Sequence, residues 1–412
     1  MESTAQRNNF LLILILGSLT ALSPFAIDMY LPAFPSMAKD FGTDVASISL
    51  SVSSYFIGLA FGQIIYGPLL DRFGRRKPLY AGLTLFILAS IGCMFAKDTS
   101  TLIAFRFIQA LGGCAASVSS VAMVRDLFSV KESAKVFSLL VLILGASPLL
   151  APTFGGYLSA AVSWHWIFVV LAVMAATLIA VSRFFLPADH TADNTVSLKL
   201  RPILQNFKSV LKDRQFTTYT FAGAFAFAGL FVYVAGSPIV FMNIFQLSGK
   251  VYGWIFAGLS VGFIGASQLN ILLIKHFKNE RILEFALTMQ VTTAILFLIG
   301  SLQGWFGIPG TIVMLFFYLA SVGLANPNAA ALALAPFTKN VGSASALMGA
   351  LQMGIGATAS FAVGLFPPTT SLPMVTIMSA GAILAAATLF LGKRKITNTV
   401  EAAPGDAAGA LH

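Results

Sequence analysis

Apolar residues run along this chain in blocks of about 20, separated by short polar or Gly/Pro-bearing gaps. A block of that length fits a helix crossing a hydrocarbon layer roughly 30 Å thick at about 1.5 Å per residue. Twelve blocks predict twelve spanning helices, over about 10–34, 46–68, 77–96, 100–124, 133–158, 163–186, 216–241, 250–275, 281–301, 306–328, 341–366 and 371–392. A hydrophilic stretch from about 187 to 215 divides them six and six. It holds Pro187, Asp189, Asp193 and Asn194, then a basic amphipathic segment around Ile203, Phe207, Val210 and Leu211, expected on the cytoplasmic face of a bilayer. The predicted organisation is an N-terminal six-helix bundle over 1–186, a cytoplasmic linker over 187–215, a second six-helix bundle over 216–392 and a cytoplasmic tail over 393–412. The end of that tail, 401–412, is Ala/Gly-rich and reads as disordered.

Composition supports an all-α membrane protein. The chain is 57% hydrophobic and 10% charged, whereas soluble domains carry about 25% charged residues. The net charge of +10 raises the possibility of nucleic acid, and its distribution removes it. With a cytoplasmic N-terminus, Arg7, Arg72, Arg75, Arg76, Lys77, Arg125, Lys131, Lys135, Arg183, Lys199, Arg201, Lys208, Lys212, Arg214, Lys275, Lys278, Arg281, Lys339, Lys393, Arg394 and Lys395 all fall inside. Only Lys39, Lys97 and Lys250 fall outside. That asymmetry sets the orientation and directs the positive charge at anionic lipid heads. Arg7 followed by an apolar run mimics a signal peptide, but the run is long and lacks a clear small-x-small site, so it reads as an uncleaved first span. Cys93 and Cys114 fall in spans and read as small packing residues. There is no Gly-rich phosphate loop ending in Lys-Ser/Thr, no His/Cys metal spacing and no nucleophile elbow. The chain therefore reads as neither an enzyme nor ATP-driven, with no metal and no cofactor.

Two charges lie deep inside the spans. Asp28 lies in the otherwise uncharged stretch 10–34, where a carboxylate costs about 2.5–3.5 kcal/mol on insertion scales. Arg106 lies in the fourth span. Counted from Pro35 and from Ser100, both sit roughly 10 Å below the outer surface, so the two are expected to meet. A proton on Asp28 would then compete with a polar or cationic substrate, burial favouring the neutral acid and Arg106 the anion. A static ion pair or a snorkelling Arg106 accounts for the same spacing. Gln109, one turn along, is placed to hydrogen-bond substrate or Arg106. Tyr30, Tyr55, Phe231 and Tyr233 are candidates for a stacking wall, and Asn326 and Gln352 for polar contacts to substrate. Glu284 reads as pairing near the inner surface.

Three motifs carry a resemblance. Gly67-Pro68-Leu69-Leu70-Asp71-Arg72-Phe73-Gly74-Arg75-Arg76-Lys77 resembles the loop signature of the major facilitator superfamily. Gly67 and Gly74 are expected to allow close helix approach and a sharp turn, and Asp71, Arg72 and Arg75 to form a latch between states. The matching second-half loop, Lys275-His276-Phe277-Lys278-Asn279-Glu280-Arg281, lacks the glycines. Gly145-Ala146-Ser147-Pro148-Leu149-Leu150-Ala151-Pro152-Thr153-Phe154-Gly155-Gly156 is similar to the antiporter signature of drug exporters, with Ala151 where the pattern has Gly. Pro148, Pro152, Gly155 and Gly156 are read as a hinge and a seal against proton leak. Asp28-Met29-Tyr30-Leu31-Pro32-Ala33 resembles a hallmark of the bicyclomycin/chloramphenicol resistance subfamily, as do Arg106-Phe107-Ile108-Gln109-Ala110-Leu111-Gly112 and Trp164-His165-Trp166-Ile167-Phe168.

The resemblance implies two pseudo-symmetric six-helix bundles in the inner membrane of a bacterium, with both termini cytoplasmic. It implies a monomer that exports small drug-like compounds in exchange for protons by alternating access. Its partners are then a small-molecule substrate, protons and membrane lipid, with no nucleic acid. A dedicated metabolite carrier for a nucleoside, amino acid or siderophore also fits these residues, as does a membrane sensor or scaffold that does not transport.

Overall fold

A computed structural model describes residues 2–128, 130–186, 200–337, 341–394, 396 and 400, without the side chains of 2–9, 130–135, 137, 138, 141, 142 and 200–204. Pro187, Asp189, Asp193, Asn194, Lys199, Lys339, Lys395 and 401–412 lie outside the described residues, as do the side chains of Arg7, Lys131, Lys135, Arg201 and Ile203.

The described chain is helical throughout, with no strands among its described residues. Its helices are α1 (Glu2–Asp28), the short α2 (Phe34–Phe41), α3 (Val45–Phe73), α4 (Arg76–Met94), α5 (Thr99–Leu127), α6 (Val130–Ala161), α7 (His165–Phe185), the short α8 (Leu200–Val210), α9 (Arg214–Pro238), α10 (Gly249–Leu273), α11 (Asn279–Leu302), α12 (Ile308–Leu334), α13 (Val341–Val363) and α14 (Leu372–Lys393). Leaving out α2 and α8, the twelve long helices follow the order of the apolar blocks. Eleven are long and apolar enough to cross a membrane among the described residues. The twelfth, α6, is 32 residues long and packs between α1 and α10.

Aspartates start several of these helices. Asp44, Asp98 and Asp213 accept hydrogen bonds from the backbone N–H of Ser47, Thr101 and Phe216 at 2.6, 2.8 and 2.8 Å, filling donors that a helix start leaves open. A 3-10 turn, Leu31–Ala33, bends α1 into α2. A π-helical turn, Ile239–Ile244, ends α9.

Alternating helices place Arg72, Arg75, Arg76, Arg125, Arg183, Lys275, Lys278 and Lys393 at the end of the molecule where α14 finishes. We call this the basic end. Lys39, Lys97 and Lys250 lie at the opposite end. Between the bundles, α3 packs along α13 and α6 along α10. These are spans two and eleven, and five and eight; advancing each number by six turns one pair into the other, the signature of two pseudo-symmetric halves.

The core shows where the halves join. One hydrophobic cluster fills the first bundle and continues into the second through Phe231, Tyr233, Tyr252, Phe256 and Val363. A separate cluster, with Val210, Phe216, Tyr219, Leu283, Leu287 and Leu389, fills the second bundle near its basic end. The bundles therefore share a core toward the opposite end. α8, read from sequence as lying on the bilayer surface, buries Val210 and rests Phe207 on this second core beside α13. Large apolar side chains such as Phe61, Phe154, Phe184, Trp254 and Phe317 stay exposed on the rim, the surface a bilayer covers.

Candidate functional site

Arg106 is completely buried within the first bundle. Its Nη2 donates to the Ala26 carbonyl at 2.9 Å and its Nη1 to Gln109 Oε1. Gln109 in turn donates to Ser90 Oγ at 2.7 Å. The guanidinium carbon lies 4.2 Å from the Tyr30 ring centroid and 4.3 Å from that of Tyr55, within the range of cation–π attraction. Tyr30 and Ser51 share a hydroxyl–hydroxyl bond of 3.0 Å. One cation thus ties α1, α3, α4 and α5 together.

The Asp28–Arg106 pair expected from depth does not form in this conformation. Among the described residues Asp28 makes no ion pair or hydrogen bond, although it is only 6% exposed. The reason is angular. Successive residues turn about 100° around a helix, so Asp28 stands about 200° from Ala26, the α1 residue whose carbonyl holds Arg106, while Tyr30 reaches Arg106 from the turn that follows the helix. Asp28 faces the second bundle instead, within electrostatic reach of Tyr233 and Tyr252.

The proposed substrate wall divides accordingly. Tyr30, Tyr55 and Gln109 are fully buried around Arg106 and do not line an open passage. Phe231 meets Phe56 of the first bundle edge-on at 4.2 Å. Tyr233 stacks on Phe256 at 5.2 Å. Asn326 and Gln352 are half-buried and joined, Gln352 Nε2 donating to Asn326 Oδ1 at 2.7 Å. Gln63 of α3 reaches the same helix, its amide oxygen seated where a Cβ on Gly349 would stand.

The loop signature forms a junction within the first bundle. Arg75 bridges Asp71 at 2.7 Å and Asp126, at the end of α5, at 2.8 Å. Partial burial disfavours its charge, but hydrogen bonds and charges from Asp126 and Asp71 outweigh burial and hold its pKa above the usual value. Gly74 turns the chain at φ 82°, a conformation that suits glycine. Gly67 departs from expectation: it sits inside α3, and a Cβ there would meet nothing within 4 Å. α3 runs on through Pro68 to Phe73, so the tight approach lies elsewhere. Arg72 rests 5.7 Å from the Phe73 ring.

That tight approach is on α6. Pro148, Pro152, Gly155 and Gly156 all lie within one continuous helix. A Cβ on Gly155 would overlap the Met29 carbonyl of α1, and one on Gly156 would lie 2.7 Å from the Gly249 carbonyl of α10. Gly253 would lie 2.9 Å from the Pro152 carbonyl, and Gly249 2.7 Å from that of Pro32. Backbone meets backbone beside Asp28, as small residues permit.

The family model described as Major Facilitator Superfamily matches residues 16–361. The chain belongs to this superfamily. The facilitator is 33% identical to the uncharacterized MFS-type transporter YdgK of Bacillus subtilis (strain 168), over 95% of this chain and 97% of that one. It is 32% identical to a bicyclomycin resistance protein homolog of Haemophilus influenzae, over 95% and 98%. Among solved structures, the nucleoside transporter NupG matches with a TM-score of 0.71 at 14% identity, over 94% of this chain and 100% of that one. A D-xylose-proton symporter matches with a TM-score of 0.70 at 15% identity, over 96% and 99%. These last two establish the shared fold. The protein is a multi-pass membrane transporter for a small molecule, of the bicyclomycin/chloramphenicol resistance type, and not an enzyme.

Several residues of this facilitator carry contacts that its sequence did not signal. Ser53 and Ser360 share a 2.7 Å bond across the bundles. Asn328 donates to Asn270 at 2.7 Å, buried toward the basic end of the second bundle. The Trp164 indole donates to Asp40 at 2.7 Å, anchoring α7 to α2. Glu284, by contrast, pairs near the basic end as its sequence position suggested, with Lys393 at 2.6 Å, and Glu280 accepts from Tyr219 at 2.8 Å beside it. A serine or asparagine in a span has no periodicity of its own, so only the pairing reveals its use.

Proposed function

We propose that this transporter exports small drug-like compounds in exchange for protons, by rocking of its two bundles in a bacterial inner membrane. Asp28 carries the reading. It is a lone acid, nearly buried at the seam of the two bundles, with no cation paired to it among the described residues. Such a group is stable there when protonated and costly when charged. Opening the opposite end hydrates it and lets it ionise or reload. Arg106 holds the first bundle as one rocking body and keeps a positive field one helix away. Gly156 seals the seam against α10 while it is closed, and Gly155 packs the first bundle beside it.

The names of relatives supply the cargo: bicyclomycin resistance, chloramphenicol resistance and multidrug resistance. Phe231, Asn326 and Gln352 are the residues we assign to it, since their rings and half-buried carboxamides lie between the bundles or toward the basic end. The excess of Lys and Arg at that end supports reading it, and both termini with it, as cytoplasmic. One chain supplies both halves of the seam, which suits a monomer.

The test is substrate-induced proton movement in proteoliposomes across a panel of antibiotics and metabolites. Asp28→Asn, which keeps shape and removes the titration, is expected to abolish pH-driven transport while the protein stays folded. Coupled transport at the wild-type rate in that variant sinks the reading. Proton movement with a single metabolite and no drug points instead to a dedicated carrier.

A further inference from the structure

Tyr233 has a buried hydroxyl with no hydrogen-bond partner among the described residues and is about 1% exposed. An unsatisfied buried hydroxyl costs about 1–3 kcal/mol and calls for a reason. Its ring is fixed by stacking on Phe256, which also meets Tyr252 edge-on at 5.9 Å. The Tyr252 hydroxyl is already engaged with Ser237 at 2.9 Å. Asp28 is the acid within electrostatic reach of both phenols, and the chain just past it meets α10, where a Cβ on Gly249 would lie 2.7 Å from the Pro32 carbonyl. Among the described side chains on the helices packed around α1, the other titratable groups are committed elsewhere: Cys114 of α5 donates to the Leu59 carbonyl, and Arg125, Asp126 and Arg183 lie at the basic end. Arg106 of α5 is held on the far face by Ala26 and Gln109. Tyr157 of α6 is 47% exposed under Lys250 of α10. His165 of α7 is bonded to Ser163.

We infer that Tyr233 is the positioning residue for the proton on Asp28, its free hydroxyl hydrogen-bonding the carboxyl across the seam as the bundles open or close. The inference rests on Asp28 being the proton site. It moves Tyr233 from the substrate wall to the coupling step. A phenol donates more strongly to a carboxylate than to a neutral acid, so it eases loss of the proton. It also links that loss to the spacing of the bundles, because acid and phenol ride on different halves.

The experiment is the pH profile of transport in proteoliposomes for the wild type, Tyr233→Phe, Tyr252→Phe and Asp28→Asn. Tyr233→Phe deletes one oxygen from a stacked ring, and a thermal melt in detergent confirms that it folds. Its pH midpoint is expected to move upward by about one unit, because the ionised form loses a charge-assisted bond. Tyr252→Phe, whose hydroxyl Ser237 already occupies, moves it less. A tenfold rise in KM at every pH with an unmoved midpoint makes Tyr233 a substrate contact and overturns the inference. An unmoved midpoint in Tyr233→Phe alongside a flat profile in Asp28→Asn overturns the inference and leaves Asp28 as the proton site. A wild-type profile in Asp28→Asn overturns both.

Discussion

A guanidinium held between two phenol rings, a carbonyl and an amide oxygen depends on shape as much as on charge. Arg106 fills that role with a planar group that can donate on two sides and stack on its faces. Lysine carries the same charge on a point. Arg106→Lys is therefore expected to lower the melting temperature in detergent by several degrees and transport by at least about tenfold, as loss of a buried charge-assisted network does. Arg75 gives a second expectation, in pH. Its raised pKa means that its stabilising contribution is present below the usual arginine value and fades only as pH climbs through the higher folded value. The Asp71–Arg75–Asp126 junction stays intact from about pH 5 to 9 on the arginine side, and a melt across that range should show no loss traceable to Arg75. The residue scale was partly legible. Asp28 and Arg106 stood out as charges among apolar neighbours, but depth along a helix fixes height and leaves direction open. A turn of 200° separates meeting from facing away.

Among the helices, α6 repays the closest reading. Its glycines do two different jobs a residue apart. Gly155 lies against α1 of its own bundle and Gly156 against α10 of the other. Gly155→Ala should lower the melting temperature, since a methyl forced onto a carbonyl costs about 1–3 kcal/mol in a packed interior. Gly156→Ala acts across the seam, so it should favour the state open at the opposite end; thiol labelling of a cysteine placed at Lys250 should quicken. Equal effects of the two substitutions on labelling and on melting would refute this division. The double proline and paired glycines were visible in the sequence because small residues at helical spacing have few other uses. Gly67 shows the limit of that logic: the motif identified the loop, but close contact requires a partner helix, and none stands there.

Across the whole molecule, the twelve blocks and their six-six division were readable because a bilayer sets the length of every helix. The pairing of α3 with α13 and α6 with α10 was not, since it rests on contacts such as Ser53–Ser360 between residues 307 apart. That contact offers a direct test of rocking. Ser53→Cys with Ser360→Cys should crosslink under oxidation and drop transport to background, and reductant should restore it. The native Cys93 and Cys114 are buried and unpaired, so they interfere little. Transport persisting in the crosslinked protein would mean that the bundles need not part here. Beyond α14 the chain folds back: the Val400 backbone exchanges two 2.9 Å bonds with the buried Gln215 side chain, and Lys393 engages Glu280 and Glu284. A purification handle or fluorescent reporter spliced on before Val400 would cut this strap, whereas one appended after His412 leaves it in place.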